Sequence, residues 1–402
     1  MSVKSRNYRN NVLKQLYFSP LLSCADLSLR INKSLPITTR ILNELIEEGY
    51  VEEKGFAAST GGRRAMVYSL RSDAMFIVSV AMDQFFTRIA IMDLQNNFIS
   101  PVSKIELPLV KNEKAISVLD EKIDELIRSS GIPLEKIAGI GIGMPGFVDV
   151  TRSINYSFLD SGNKSIAGII EEKTGLPVFI DNDSSLIALA ELKFGAARDK
   201  KNAMVINVGW GVGLGMILSG ELFRGNNGFA GELSHIPLFQ NGKLCQCGKT
   251  GCLETETSML VLIEKAKEGL QNGRQCSFHE LPEDHEEACN KILHAAVKGD
   301  QFAVELLSGI AYDIGRGIAI LIHIMNPELV VLSGRGAQGG QLWRAPVQQA
   351  VNRYCIPSLA AYTDITISSL GNKAELIGAA ALVFENLDKA EEEDYIENTN
   401  MN

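Results

Sequence analysis

Apolar positions in residues 1–71 recur at helical spacing, and the rest of the chain alternates short apolar runs with longer periodic ones. Val12, Leu13, Leu16 and Tyr17 share one helical face. In "SCADLSLRI" Ser23 stands as N-cap with Asp26 three residues on, a capping-box pattern that opens a second helix. A third follows in "SLPITTRILNELIEEGY", with Ser34 as cap, Pro36 in the first turn and a predicted buried face of Ile37, Ile41, Leu42, Leu45 and Ile46. That assignment leaves Thr38, Thr39, Arg40 and Asn43 on or beside the wet face near the helix's open end, where a helix-turn-helix presents side chains to base edges and phosphates. "YVEEKGFAASTGGRRAMVYSL" alternates and turns at Gly61-Gly62, as a two-stranded wing does. Any three-helix bundle with a hairpin has this pattern.

From residue 75 onward the strand-like runs are "FIVSVAM", "TRIAIMDL", "IAGIGIGMPG", "LPVFID", "AMVINVG", "GLGMILSG" and "LVVLSG". They interleave with helical segments at 112–130, 183–195 and 300–325, which predicts an α/β architecture with mixed sheets. The tail "LDKAEEEDYIENTNMN" is acidic and apolar-poor and reads as a frayed end. No apolar run approaches the ~20 residues of a membrane span, and "MSVKSRNYRN" lacks the apolar core of a secretory signal, so a cytoplasmic protein is expected.

Charge changes the reading of the first module. Residues 1–71 carry 11 Lys+Arg against 6 Asp+Glu, a net of +5, while the remaining residues carry 28 against 42, a net of −14. A small basic head on a large acidic body implies that only the head meets a polyanion, with Arg63 and Arg64 suited to phosphate or minor-groove contact. Double-stranded DNA is the expected partner.

Two glycine loops need assignment. "GIGMPG", Gly141 to Gly146, matches the dinucleotide fingerprint by letter, but Pro145 and the β-branched "FVDVTRSI" predict a turn and extended chain where that fingerprint needs a helix. No P-loop pattern occurs. "NVGWGVGLG", Asn207 to Gly215, is read either as a backbone cradle for phosphate or as a tight hairpin, and the residues alone favour neither.

Three of the seven cysteines crowd into "LCQCGKTGCLE". Cys245, Cys247 and Cys252 offer three soft ligands, and His235 in "GELSHI" would complete the four that a closed structural Zn²⁺ site takes. Gly248 and Gly251 let the backbone turn so that the sulfurs converge. The competing reading makes His235 a core residue and the thiols free or redox-active; the dense spacing favours metal. Four protein ligands leave no open position, so the ion would hold shape. It would brace Glu232 and Glu254 at the two ends of the loop. With Asn182 and Asp183, which close one strand and open a helix, these carboxylates suit several sugar hydroxyls, although each singly is as ordinary as a surface residue or a cap.

The combination of "GIGIGMPGFVD", "DND" at 181–183, "GWGVG", "GELSH" and "CQCGKTGCLE" resembles the ROK family, which takes in bacterial sugar kinases and sugar-responsive repressors. The likeness spans roughly residues 75–385, and the head resembles that of the repressor branch. It implies a winged helix-turn-helix followed by a two-lobed, duplicated RNase H-like (actin-like) fold with a sugar cleft between lobes, usually as a homodimer or homotetramer. It further implies zinc on His235, Cys245, Cys247 and Cys252, and sugar contacts from Asn182, Asp183, Glu232, His235 and Glu254, with Asp183 where the family's kinases keep their catalytic base. The kinases' D-x-G-G-T-[KR] loop is missing. Counting back from Asp93 puts Ala81 at its aspartate and Asp83, Gln84 and Phe85 over its glycines and threonine, while Trp210 stands where kinases keep threonine in the second loop.

These departures predict a sugar-responsive transcriptional repressor with no catalytic residue, whose kinase-like body has lost its ATP phosphate loop. The expected organisation is a DNA-binding domain at 1–71, a sugar-binding domain at 72–390 and an acidic tail at 391–402. Its effector is a small sugar or sugar phosphate. An active hexose or N-acetylhexosamine kinase with an appended head is the alternative, and a protein partner in place of the sugar is a third.

Overall fold

The computed structural model describes residues 3–57, 64–159, 161–162 and 164–388. The expected wing turn at Gly61-Gly62, Arg63 and the acidic tail at 391–402 lie outside the described residues. Contacts divide the chain into two compact units, Met1–Asp181 with Ala379–Asn402, and Asn182–Gly378.

The first unit opens with the helices α1 (Val3–Phe18), α2 (Cys24–Arg30) and α3 (Leu35–Glu47), and a three-stranded sheet in the order β1 (Leu22–Ser23), β3 (Met66–Leu70), β2 (Val51–Phe56). This is the element order of a winged helix-turn-helix. The Ser23–Asp26 capping box forms in both directions, so two donors that the first turn of α2 would leave orphaned are satisfied. Val12, Leu13, Leu16 and Tyr17 are buried against Leu27, Ile41, Leu42 and Leu45.

The phase of α3 corrects the sequence reading. Thr38 is fully buried and its hydroxyl donates to the Ser34 carbonyl at 3.1 Å, whereas Ile37 is 37% exposed. The buried stripe is therefore Thr38, Ile41, Leu42 and Leu45, at the 3-1-3 spacing of one helical face. A threonine whose hydroxyl is bonded within its own turn is cheap to bury, so polarity misled the assignment. Head and body meet at Tyr17, whose ring stacks on Phe384 with centroids 4.0 Å apart and whose hydroxyl donates to Asn96 Oδ1 at 2.6 Å.

The rest of the first unit is built on β4 (Phe76–Met82), β5 (Phe86–Asp93), β6 (Ser103–Glu106), β7 (Ile137–Met144) and, after the short pair β8 (Val148–Asp149) and β9 (Ile154–Asn155), β10 (Val178–Asn182). Helices α4 (Ala115–Ser130) and α5 (Ile166–Thr174) lie between strands in the chain. The sheet runs β10-β7-β4-β5-β6, an antiparallel meander of β4 to β6 extended by β7 parallel to β4. Val80, Ile91, Leu119, Ile123, Ile142 and Ile170 form part of its core.

The second unit repeats the plan. It holds α6 (Asp183–Phe194), β11 (Ala203–Val208), β12 (Val212–Leu218), β13 (Glu221–Phe223), α7 (Glu254–Thr257), α8 (Met259–Gln271), α9 (His285–Val297), α10 (Gln301–Met325), β14 (Leu329–Ser333), α11 (Arg344–Tyr354), α12 (Pro357–Ala360) and β15 (Asp364–Ile367). Its sheet runs β13-β12-β11-β14-β15, again a meander of three strands with the fourth parallel to the first. The last helix, α13, is Ala374–Glu385. Two sheets of one topology, each with crossover helices, are the duplicated fold expected from the sequence.

Helix α10 alters one expectation, because its 25 residues are long and apolar enough to cross a bilayer by length and composition. Leu307, Ile310, Ile314, Ile318 and Ile322 are nonetheless buried inside the second unit, which accounts for its hydrophobicity without a membrane.

The glycine of "GIGMPG" has a packing reason. A Cβ on Gly141 would lie 2.0 Å from the Ala379 carbonyl oxygen, so β7 tolerates no side chain where α13 crosses it. The chain after the motif runs into β8, as the sequence predicted. Gly141→Ala is expected to cost about 3 kcal/mol through overpacking, a fall of roughly 6–12 °C in the thermal midpoint. Scanning calorimetry checks this, and an unchanged midpoint would contradict the close approach.

Candidate functional site

Strand β10 ends where α6 begins, and this junction positions the first polar pair. Asn182 is the N-cap, its Oδ1 accepting from the backbone N–H of Ser184 at 2.9 Å and of Ser185 at 3.2 Å. Asp183 follows, half-buried, with Oδ1 accepting from Ser184 N at 2.7 Å and Oδ2 from Asn207 Nδ2 at 3.2 Å. Asn207 was not singled out from the sequence. It sits near the end of β11 and orients Asp183 from the sheet face on which α6 packs; its local signal is only its place before the glycine loop.

That glycine loop is a hairpin. β11 and β12 pair out to Val208 with Val212, leaving residues 209–211 as the turn, in which Gly209 N donates to Gly211 O at 2.9 Å. Glycines 213 and 215 face α6: a Cβ at Gly213 would strike Ser184 Oγ at 1.9 Å and one at Gly215 would strike Ala188 Cβ at 2.3 Å. Close packing of α6 therefore explains these two residues.

Glu232, His235 and Glu254 gather on the metal-type loop. His235 Nδ1 lies 3.5 Å from Cys245 Sγ and 3.4 Å from Glu254 Oε1, while Nε2 faces Glu232 Oε2 at 3.8 Å. Nδ1 thus faces a thiol and an acid, and Nε2 a second acid. Partial burial is the main reason the Glu232 carboxyl is pushed above the usual range. Glu254 Oε2 would touch a Cβ at Gly211 at 3.3 Å, so the hairpin turn and the metal-type loop are neighbours.

The ligand atoms of His235, Cys245, Cys247 and Cys252 all lie within 4.8 Å of one another. The Cys247–Cys252 sulfurs are 3.6 Å apart, close to the edge of about 3.8 Å for a tetrahedron with bonds of ~2.3 Å. Gly248 and Gly251 adopt φ of 84° and 75°, the left-handed turns expected from the sequence, and Cys245 N donates to Lys249 O at 2.7 Å to close the knuckle. Burial, then the Glu254 carboxylate 2.9 Å away, pushes the Cys245 thiol strongly up. Cys245 and Cys252 are buried beside the Glu254 carboxylate, and a cation held there would displace the thiol protons and balance the resulting thiolates. The donor set fits a closed four-coordinate metal site.

The first loop holds an unexpected feature. Asp83 Oδ1 accepts from the backbone N–H groups of both Phe85 and Phe86 at 2.8 Å each, and the Asp83 N–H donates to Phe86 O at 2.9 Å. The turn between β4 and β5 is closed around its own carboxylate. Ala81, inside β4, is 1% exposed and paired with Arg88 and Gly143. In the second unit, Trp210 is buried with the Arg335 guanidinium 4.3 Å over its ring and the His285 ring 6.2 Å away; Arg335 is paired with Glu286. Arg335 and Glu286 gave no sequence signal, being 49 residues apart.

Of the expected DNA contacts, Thr39, Arg40, Asn43 and Arg64 are exposed, with Arg40 pairing to Glu44 at 2.9 Å. Thr38 points into the head and is withdrawn from that set.

Comparison with known proteins places these features. The xylose repressor of Caldicellulosiruptor bescii is 28% identical over 382 residues, covering 94% of this chain and 95% of its own. The glucokinase of Halalkalibacterium halodurans is 35% identical over 289 residues, covering 70% of this chain and 88% of its own. A solved ROK family transcriptional regulator, described as a homolog of the E. coli MLC protein, covers 97% of this chain and 98% of its own at 26% identity and a TM-score of 0.78. The ROK family model matches residues 87–386, from the strand after the Asp83 turn through the final helix, and the chain belongs to the ROK family.

Proposed function

We propose that the protein is a sugar-responsive DNA-binding repressor whose kinase-like body keeps the sugar side and has lost the nucleotide side. The observation that carries this reading is the Asp83 turn. A phosphate loop offers backbone N–H groups to an incoming anion, and here the N–H groups of Phe85 and Phe86 are already bound by an internal carboxylate. Its negative charge also repels a triphosphate. Trp210, in the turn of the second loop and covered by the Arg335 guanidinium, supports the same conclusion, since two large side chains occupy the turn where a phosphate loop keeps small ones.

On the sugar side, Asp183, Glu232 and Glu254 accept from hydroxyls, and His235 Nε2 donates, while Asn207 holds Asp183 in place. Zn²⁺ on His235, Cys245, Cys247 and Cys252 would supply a rigid brace with no open coordination position. Asp183 then binds without abstracting a proton. The head, with Thr39, Arg40, Asn43, Arg63 and Arg64 toward DNA, is carried by a homodimer or homotetramer onto a duplex operator. Sugar releases it by binding the DNA-competent and DNA-free states unequally. The resemblance to a xylose repressor supports carbohydrate-use genes as the target.

The second reading, an ATP-dependent sugar kinase, is favoured by the retained Asp183 and by the glucokinase relative. A coupled ADP-release assay across pentoses, hexoses and N-acetylhexosamines is expected to show no turnover, while one sugar raises the melting temperature. Turnover of about 1–100 s⁻¹ would establish the kinase instead.

A further inference from the structure

We infer that the first turn of α3 reads thymine 5-methyl groups in the major groove, making Leu35 and Ile37 specificity residues for a thymine-bearing half-site. The inference rests on the DNA-binding reading above and goes beyond it in naming what is read.

Charge along α3 decides which end can enter a groove lined by phosphates. The first turn carries no acidic residue, whereas Glu44, Glu47 and Glu48 gather at the C-terminal end. Phosphate repulsion keeps that end out, while Lys33 stands two residues before the helix and Arg40 in its first half. The helix therefore enters N-terminus first, and its first turn is the part seated deepest.

That turn is apolar. Leu35 is 52% and Ile37 37% exposed, with Pro36 exposed between them, whereas twelve other large apolar side chains of the head, from Val12 to Leu70, are buried and only Leu21, Leu29 and Phe56 among the described residues share that exposure, none of them on α3. Leucine, proline and isoleucine side chains offer no donor or acceptor to a base edge. Pro36 also lacks a backbone N–H. The one apolar group that base pairs present in the major groove is the thymine methyl. Hydrogen-bond readout is left to Thr39 and Asn43 in the next turns, which are exposed, and to Arg40 once it leaves Glu44.

The test uses the full-length protein. A duplex is first selected from a random library, and its thymines are then replaced singly by deoxyuridine, which removes only the methyl group. Wild-type affinity is expected to fall about fourfold at each contacted thymine, the size expected for one methyl-sized group left unburied, and to recover when 5-methylcytosine places a methyl at the same spot. The Leu35→Ser/Ile37→Ser double variant alters only exposed positions and is expected to bind thymine and uracil duplexes alike, with an unchanged salt dependence because phosphate contacts remain. Deoxyuridine without effect on the wild-type protein, or a selected half-site without thymine, would overturn this inference and leave the repressor reading standing. Recovery of no duplex at all would overturn both.

Discussion

Cys252→Ser is expected to empty the metal site and, with it, to abolish sugar binding while leaving DNA binding intact. Cys252 is wholly buried, with its sulfur 3.6 Å from Cys247 and 3.6 Å from the His235 carbonyl oxygen, so no outside group can replace it as a ligand. A serine hydroxyl is a hard, neutral donor that does not ionise for zinc at neutral pH. Apart from a metal, the loop between His235 and Glu254 is held by two isolated bridges, Pro237 with Cys252 and Leu244 with Thr250, by backbone hydrogen bonds around the knuckle, and at its rim by Arg316, which lies over Phe239 and donates to Leu238 O at 3.1 Å, and by the Lys243–Glu264 pair; none of these reaches the sulfurs. In small zinc domains the metal supplies ~10–16 kcal/mol of apparent folding free energy at neutral pH. Its loss should therefore unravel this loop even though the sheets on which it rests survive. Native mass spectrometry is expected to fall from one zinc per chain to none, limited proteolysis to cut between residues 236 and 253, and sugar affinity to drop at least ~100-fold as Glu232, His235 and Glu254 lose their frame. One retained zinc and normal sugar binding in this variant would show that the thiols serve something else.

Asp183→Ala is expected to give a protein that binds its operator normally and cannot be released from it. The carboxylate is held by Ser184 N and Asn207 Nδ2 at the start of α6, which leaves it fixed before any sugar arrives. Charge-assisted hydrogen bonds contribute roughly 1.5–3 kcal/mol each, and losing two of them lowers sugar affinity by about 10²–10⁴-fold. The truncation also leaves the Asn207 amide without this acceptor, so Asp183→Asn is the companion variant. It keeps the shape, removes the charge, and should fall between the two in affinity. Calorimetric titration gives the sugar affinity and anisotropy the DNA affinity. Loss of both together would mean that Asp183 holds the fold.

Much of this arrangement was legible in the sequence because the signals were local. The strands named from apolar runs, such as β4 at "FIVSVAM" and β14 within "LVVLSG", form as expected, and the His235–Cys252 cluster assembles as its spacing implied. What escaped notice was set at a distance. Gly141 is a glycine because α13, more than two hundred residues later, crosses it. Arg335 covers Trp210 from another segment, and Asn207 on β11 meets Asp183 at the start of the helix packed on that strand. The Asp83 turn is partly visible: an aspartate two and three residues before the N–H groups it binds is an Asx-turn signal. The phase of α3 is not legible from polarity, because Thr38 is buried with its hydroxyl bonded inside its own turn.

Sugar sensing without phosphoryl transfer is the claim on which the rest depends. The direct test is release of a labelled, selected duplex from the full-length protein by its sugar, followed by anisotropy with and without MgATP while ADP is measured in the same sample. The account predicts one release curve, identical in both conditions, with no ADP formed beyond background. Release that appears only with MgATP, or that tracks formation of ADP and a phosphorylated sugar, would contradict it.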